Sequence, residues 1–179
     1  LHDYAVAERN AVQSAGFDGE AIHGANAYLL DQFLKTGANQ RTDDYGGKIE
    51  NRARLMLEVT RAVVDAVGHD RVGIRLSPVT PANGIDDDEP QPLFDYPIAK
   101  LAPLGLAYIH VIEGATGGPR EVPGRPFDYA AMKAAYRQAG GRGAWMVNNG
   151  YDPVLAEDAV ASGRADLVAF GKAFICMPD

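Results

Sequence analysis

The chain has 179 residues, 46% hydrophobic and 23% charged, with 17 Lys and Arg against 24 Asp and Glu for a formal net charge of −7. That length and composition fit one soluble globular domain, and the acidic balance argues against nucleic-acid and membrane-surface roles, which would want clustered Lys and Arg. A single cysteine, Cys176, excludes an intramolecular disulfide and any multi-cysteine metal site. No stretch approaches the ~18 apolar residues of a membrane span, and no signal-peptide pattern is visible, so a cytoplasmic location is expected.

The predicted elements alternate. Residues 3–15 read as a helix closed by Gly16, and Phe17 to His23 as a short strand. A polar, glycine-containing stretch over 35–47 precedes an amphipathic helix in which Ile49, Ala53, Met56, Val59, Val63 and Ala66 recur at steps of three or four, stopping at Gly68. Val72 to Leu76 is the next strand. The run Asp86-Asp87-Asp88-Glu89 reads as a solvated loop, because packed like charges repel. A weaker helix over 94–104, a strand Ala107 to Ile112 and a helix over 127–138 follow. Ala144 to Val147 is a strand, and Asp152-Pro153 has the form of an N-cap with proline at the first helical position. Asp166 to Phe170 is the last strand, and Gly171 opens another helix.

Five strands separated by helices, several of them nearly continuous apolar runs, predict a parallel sheet covered on its faces. Doubly wound and barrel folds both satisfy this pattern. In either, reactive side chains belong at the C-terminal ends of strands. Those ends carry His23 with Asn26 and Tyr28, then Arg75, then His110 and Glu113, then Asn148-Asn149-Gly150, then Gly171-Lys172. Each has an ordinary alternative: a hydrogen-bonded structural histidine, a packing tyrosine, an arginine paired with a carboxylate, a glycine-containing turn. The last two ends suit a phosphate, since glycine lets backbone N–H groups approach an anion and Lys172 adds charge. There is no G-x-G-x-x-G after the first strand, no Walker loop, no nucleophile elbow and no His-x₃-His pair, so no metal site is expected.

Gly16-Phe-Asp-Gly19, Ile22-His-Gly-Ala-Asn26 and Tyr28-Leu-Leu-Asp-Gln-Phe33 are similar to the fourth-strand region of the Old Yellow Enzyme family, and Asn39-Gln-Arg-Thr-Asp-Asp-Tyr-Gly-Gly47 with Ile49-Glu-Asn-Arg52 to its most recognisable loop and helix start. Gly73-Ile-Arg-Leu-Ser-Pro78, Asn148-Asn-Gly-Tyr151 and Ala169-Phe-Gly-Lys172 extend the match over nearly the whole chain. The resemblance implies an FMN-dependent (β/α)₈ barrel that reduces activated alkenes, small α,β-unsaturated carbonyl or nitro compounds, with NADPH or NADH. By position, His23 and Asn26 would hydrogen-bond the substrate oxygen and Tyr28 would protonate the α-carbon. Arg75 would sit at the flavin's pyrimidine edge. Asn148 would contact the cofactor, and the backbones near Asn149-Gly150 and Gly171, with Lys172, would hold its phosphate.

Departures from the family pattern carry their own expectations. Glu20-Ala21 stands where the family reads Val-Glu, which turns Glu20 toward the helix layer, where it should be exposed or paired. Ala27 and Asn149 each replace a glycine, Lys48 a serine and Lys172 an arginine. A barrel takes ~250 residues, so residues 1–179 are expected to form a single partial TIM-barrel domain: five parallel strands with flanking helices, matching strands four to eight. Five strands cannot close such a barrel, so its open edges predict self-association or pairing with a complementary barrel half. The alternative to an ene-reductase is accordingly a non-catalytic half-barrel that self-associates and binds FMN weakly or not at all.

Overall fold

The computed structural model describes residues 1–177. Five parallel strands lie side by side in chain order: β1 (Glu20–Gly24), β2 (Val72–Leu76), β3 (Tyr108–Ile112), β4 (Ala144–Asn148) and β5 (Leu167–Val168). Consecutive strands that pair in parallel need a crossover, and helices supply it. They are α1 (His2–Arg9, continued by a π-helical turn over Asn10–Ser14), α2 (Leu29–Leu34), α3 (Ile49–Arg52), α4 (Arg54–Val67), α5 (Pro90–Leu101), α6 (Tyr129–Gln138), α7 (Pro153–Ala161) and α8 (Lys172–Cys176).

Local chemistry accounts for the boundaries. Asp152 accepts the Leu155 N–H at 2.8 Å with Pro153 next to it, and Asp128 caps α6 through the Ala131 N–H at 2.8 Å. Pro90 starts α5 four residues before the expected start at 94, since proline is suited to the first turn, where no N–H is needed. The last strand is shorter than the expected 166–170. Ladder residues Leu167 and Val168 are flanked by hydrogen bonds from Asp166 N to Trp145 O and from Ala169 N to Val147 O, and among the described residues β5 has no partner on its far side.

The core lies between the sheet and one layer of helices. Ile22, Val72, Ile74, Leu76, Ile109, Val111, Trp145 and Val147 project from the strands to meet Met56, Val59 and Val63 of α4, Leu93, Phe94, Ile98 and Leu101 of α5, and Met132 and Tyr136 of α6. Burying each large apolar side chain contributes about 1.5–3 kcal/mol. The alternate residues form the opposite, concave face, which has no second layer among the described residues: Ala21 and His23, Gly73 and Arg75, Tyr108 and His110, Met146 and Asn148. Tyr108 lies over Gly73, where a Cβ would sit 2.2 Å from its ring. Among the described residues no helix is long and apolar enough to cross a membrane.

Glu20 takes the helix-side position that alternation required, but it is half-buried and belongs to no ion pair among the described residues. Its neighbour Glu8 has its carboxyl pushed up by burial and then by the charge of Glu20. The expectation that Glu20 would be exposed or paired is therefore corrected. The strand places it beside a second acid.

Candidate active site

Strand register sets three polar side chains in one row across the concave face. His23 of β1 lies opposite Arg75 of β2, and Arg75 opposite His110 of β3. His110 Nε2 and Asn148 Oδ1 are 3.0 Å apart, so with the amide oxygen accepting, the neutral ring carries its proton on Nε2. Arg75 forms no ion pair among the described residues, and its Nε is buried without a hydrogen-bond partner. Burial lowers its pKa. The same cation bears on both histidines. His23 is lowered by burial and by Arg75, partly offset by Asp31, and His110 is lowered to about 4 by burial and Arg75. Both shifts favour the neutral ring; His110 then gives its one N–H to Asn148 Oδ1, and His23 can donate its own to an oxygen without carrying charge.

At the end of β1 the chain makes an unusual turn. Asn26 and Ala27 are both left-handed, with φ of +56° and +63°. Ala27 is thus strained at a position where the resembled pattern has glycine. The turn delivers Tyr28, 61% exposed, with its ring centroid 4.9 Å from that of His23. It is locked from beneath. Asn26 N–H donates to Ser77 Oγ at 2.8 Å, and Ala27 N–H to Asp31 Oδ2 at 2.9 Å. Lys35 Nζ donates to Asp31 Oδ2 at 3.1 Å and to Ser77 O at 2.9 Å, with Asp31 and Lys35 both fully buried. Asp31 and Lys35 were not among the sequence candidates. Their i, i+4 spacing reads equally well as a solvent-exposed helix pair.

The long motif loop is scaffold. Asn39 Nδ2 donates to Phe33 O and Tyr45 O, and a Cβ at Gly46 would sit 2.0 Å from Arg41 O. Arg52, buried, donates to Gly47 O and Leu34 O and to Asp87 Oδ2. Asp87 also accepts from the Thr36 N–H and hydroxyl. Burial opposes its charge, yet the Thr36 and Glu89 N–H groups and Arg52 hold its carboxyl below the usual range. The reading of Asp86 to Glu89 as a solvated run is corrected for two of its four members. Asp87 is buried against Arg52, and Asp86 is paired with Arg125.

The candidate phosphate residues follow β4 and β5. Gly150, Gly171 and Lys172 are exposed, the last two at the start of the short α8. The side chain of Asn149 is turned elsewhere: Nδ2 donates to Glu113 O and Ala115 O, and Oδ1 accepts from Gly117 N. A cavity of about 1450 Å³ lies on the helix side of the sheet, lined by Trp145, Phe127, Lys133 and Arg120 among others. Its arginines are paired, Arg120 with Glu113, Arg125 with Asp86 and Arg137 with Asp166. Arg75, which has no ion pair among the described residues, and the two histidines are on the concave face instead.

Residues 1–179 match the NADH:flavin oxidoreductase / NADH oxidase family. The chain belongs to that family, the Old Yellow Enzymes. It is 45% identical over 180 residues to putative 12-oxophytodienoate reductase 10 of Oryza sativa, covering all of this chain and 56% of that one. It is 43% identical over 176 residues to a probable flavin mononucleotide-dependent alkene reductase of Leishmania infantum (98% and 45% covered), and 41% identical over 182 residues to the probable inactive dehydrogenase easA of Claviceps purpurea (99% and 48%). Among solved structures, the old yellow enzyme homologue of Zymomonas mobilis superimposes with a TM-score of 0.90 at 35% identity, over 99% of this chain and 48% of that one. Morphinone reductase in complex with tetrahydroNAD gives 0.86 at 42%, over 99% and 46%. The chain spans about half the length of these relatives, and its five strands match about half of their barrel.

Proposed function

We propose that this chain carries the substrate-binding and proton-donating part of an FMN-dependent ene-reductase that takes α,β-unsaturated carbonyl or nitro compounds. The observation that supports this reading most directly is the concave row itself, with an orphaned Arg75 beside two neutral histidines and with Tyr28 over His23. A guanidinium whose Nε is buried without a partner fits the electron-rich pyrimidine edge of a flavin, which would satisfy it. In this reading Arg75 and Asn148 line the flavin, and Gly150, Gly171 and Lys172 face its phosphate. Asn149 contributes through the backbone alone. When bound and reduced by NADPH or NADH, FMN supplies a hydride to the β-carbon of the alkene.

The chain's own residues do the rest. His23, neutral because burial and Arg75 disfavour its protonation, donates a ring N–H to the substrate oxygen. Asn26 donates from Nδ2 to the same oxygen, and the two donors stabilise the negative charge that develops there. Tyr28, exposed at the rim, gives its hydroxyl proton to the α-carbon.

A second reading rests on other observations. A non-catalytic half-barrel that self-associates is favoured by the committed side chain of Asn149 and the unpaired edges of β1 and β5. The deciding experiment is titration of the chain into FMN, read by flavin fluorescence and visible absorption. Quenching and a shifted spectrum are expected, followed by NADPH oxidation with cyclohexenone. Unchanged fluorescence refutes the ene-reductase reading for this chain. In a chain that binds FMN, Tyr28→Phe is expected to slow alkene reduction about 10²-fold or more while sparing flavin reduction. Equal slowing of both steps removes Tyr28 as the proton donor.

A further inference from the structure

An asparagine amide has an acceptor edge and a donor edge, and only the donor edge can bind a carbonyl or nitro oxygen. Asn26 must therefore present Nδ2. Its partner is 90 residues away in sequence: Thr116, in the loop after β3, lies with Oγ1 2.6 Å from Asn26 Oδ1.

At 2.6 Å the contact is within the O–H···O range and shorter than an N–H···O bond, so the amide oxygen faces Thr116 and accepts from it. Thr116 Oγ1 is also 3.2 Å from Thr80 Oγ1, and Thr80 Oγ1 is 2.9 Å from Gly114 O. A carbonyl only accepts, so the single proton of Thr80 goes to Gly114 O. Thr116 has one proton to give, to Thr80 at 3.2 Å or to Asn26 at 2.6 Å. The shorter contact is within the normal O–H···O range and the longer is outside it. The proton goes to Asn26 Oδ1, and Nδ2 is left for another acceptor.

The segment that carries Thr116 is held on both sides by Asn149. Asn149 Nδ2 donates to Glu113 O at 2.7 Å and Ala115 O at 2.9 Å, and Oδ1 accepts from Gly117 N at 3.0 Å. Glycine at this position would accept the φ of +88° with less strain but could make none of these bonds.

We propose that Thr116 is a positioning residue that sets the amide of Asn26 with its donor edge toward the substrate oxygen, and that Asn149 holds Thr116 in place. The substrate half of this inference rests on the role given to Asn26 above. The orientation half does not, because it can be read without FMN or substrate.

The test is NMR on the full, ¹³C,¹⁵N-labelled chain without FMN, with the Asn26 side chain assigned through Asn26→Ala. The expected Asn26 Cγ signal is downfield, as for a hydrogen-bonded acceptor, with Nδ2 protons exchanging as a free amide. Thr116→Val moves Cγ upfield and Thr116→Ser restores it. Asn149→Gly gives an upfield move of the same sign and speeds Gly117 N–H exchange about tenfold. A Cγ signal indifferent to Thr116→Val overturns the proposal. So do Nδ2 protons that are protected in the parent chain and released by Thr116→Val, since the amide is then reversed.

In a chain that reduces cyclohexenone, Thr116→Val raises KM about tenfold, more than it lowers kcat, and Thr116→Ser stays within about twofold of the parent. An unchanged KM alongside a moved Cγ refutes the substrate half. A chain without reductase activity refutes the function proposed above and leaves the orientation result standing.

Discussion

Arg52 Nη1 and Asp87 Oδ2 meet at 2.7 Å in the interior, with side-chain exposures of 7% and 3%. The pair ties the start of the amphipathic helix to the loop after β2, and Thr36 adds two donors to the same carboxylate. Removing one partner strands a buried charge. Asp87→Ala is expected to cost about 3–5 kcal/mol, whereas Asp88→Ala, at an exposed neighbour, should stay within about 0.5 kcal/mol of the parent. Urea denaturation of the two variants checks this. Equal effects would show that the acidic run acts as one solvated segment.

Ala27 offers the opposite opportunity. It holds a left-handed φ of +63°, which costs a non-glycine residue about 1–2 kcal/mol. Glycine removes that strain but adds freedom to the unfolded chain and loses a buried methyl group. Ala27→Gly should be stabilising by about 0.5 kcal/mol net, seen as a higher urea midpoint at constant slope. Destabilisation beyond about 1 kcal/mol would mean that packing of the methyl outweighs the strain.

Stability should fall in mild acid. His110 titrates at about 4 in the fold against an ordinary 6.5, because burial and Arg75 oppose its charge. The unfolded chain therefore takes up the proton first. The contribution of the neutral ring is complete above about pH 6.5 and is lost as pH falls toward 4, about 2–3 kcal/mol by pH 4.5 for this one group. His23 is shifted in the same direction. Denaturation at pH 7 and pH 4.5 should show the loss, and His110→Gln should remove most of it. An equal loss in His110→Gln places the acid sensitivity elsewhere.

The open edges predict association. Among the described residues β1 and β5 each pair on one side only, and Leu167, Phe170, Phe174 and Ile175 are exposed at or just beyond β5. Unpaired backbone groups next to apolar side chains invite a further strand. The chain should elute from size exclusion larger than its 19.1 kDa, and Leu167→Lys should move it toward the monomer. A monomeric parent chain contradicts the prediction.

The sequence by itself determined the alternation of strands and helices and the cap at Asp152, because these follow from periodicity and capping chemistry. The family was legible too, carried by motifs spread over nearly the whole chain. Three things only the tertiary structure decided. Asp87 belongs to the core and not to a solvated run, since burial depends on Arg52 arriving from 35 residues away. The side chain of Asn149 serves the loop after β3, because its amide meets four backbone groups of that loop. Thr116 reaches Asn26 across 90 residues, with no spacing or propensity to announce it. A hydrogen bond is a contact of a few ångströms in space, and sequence distance carries no trace of it until the parallel sheet brings the strand ends together.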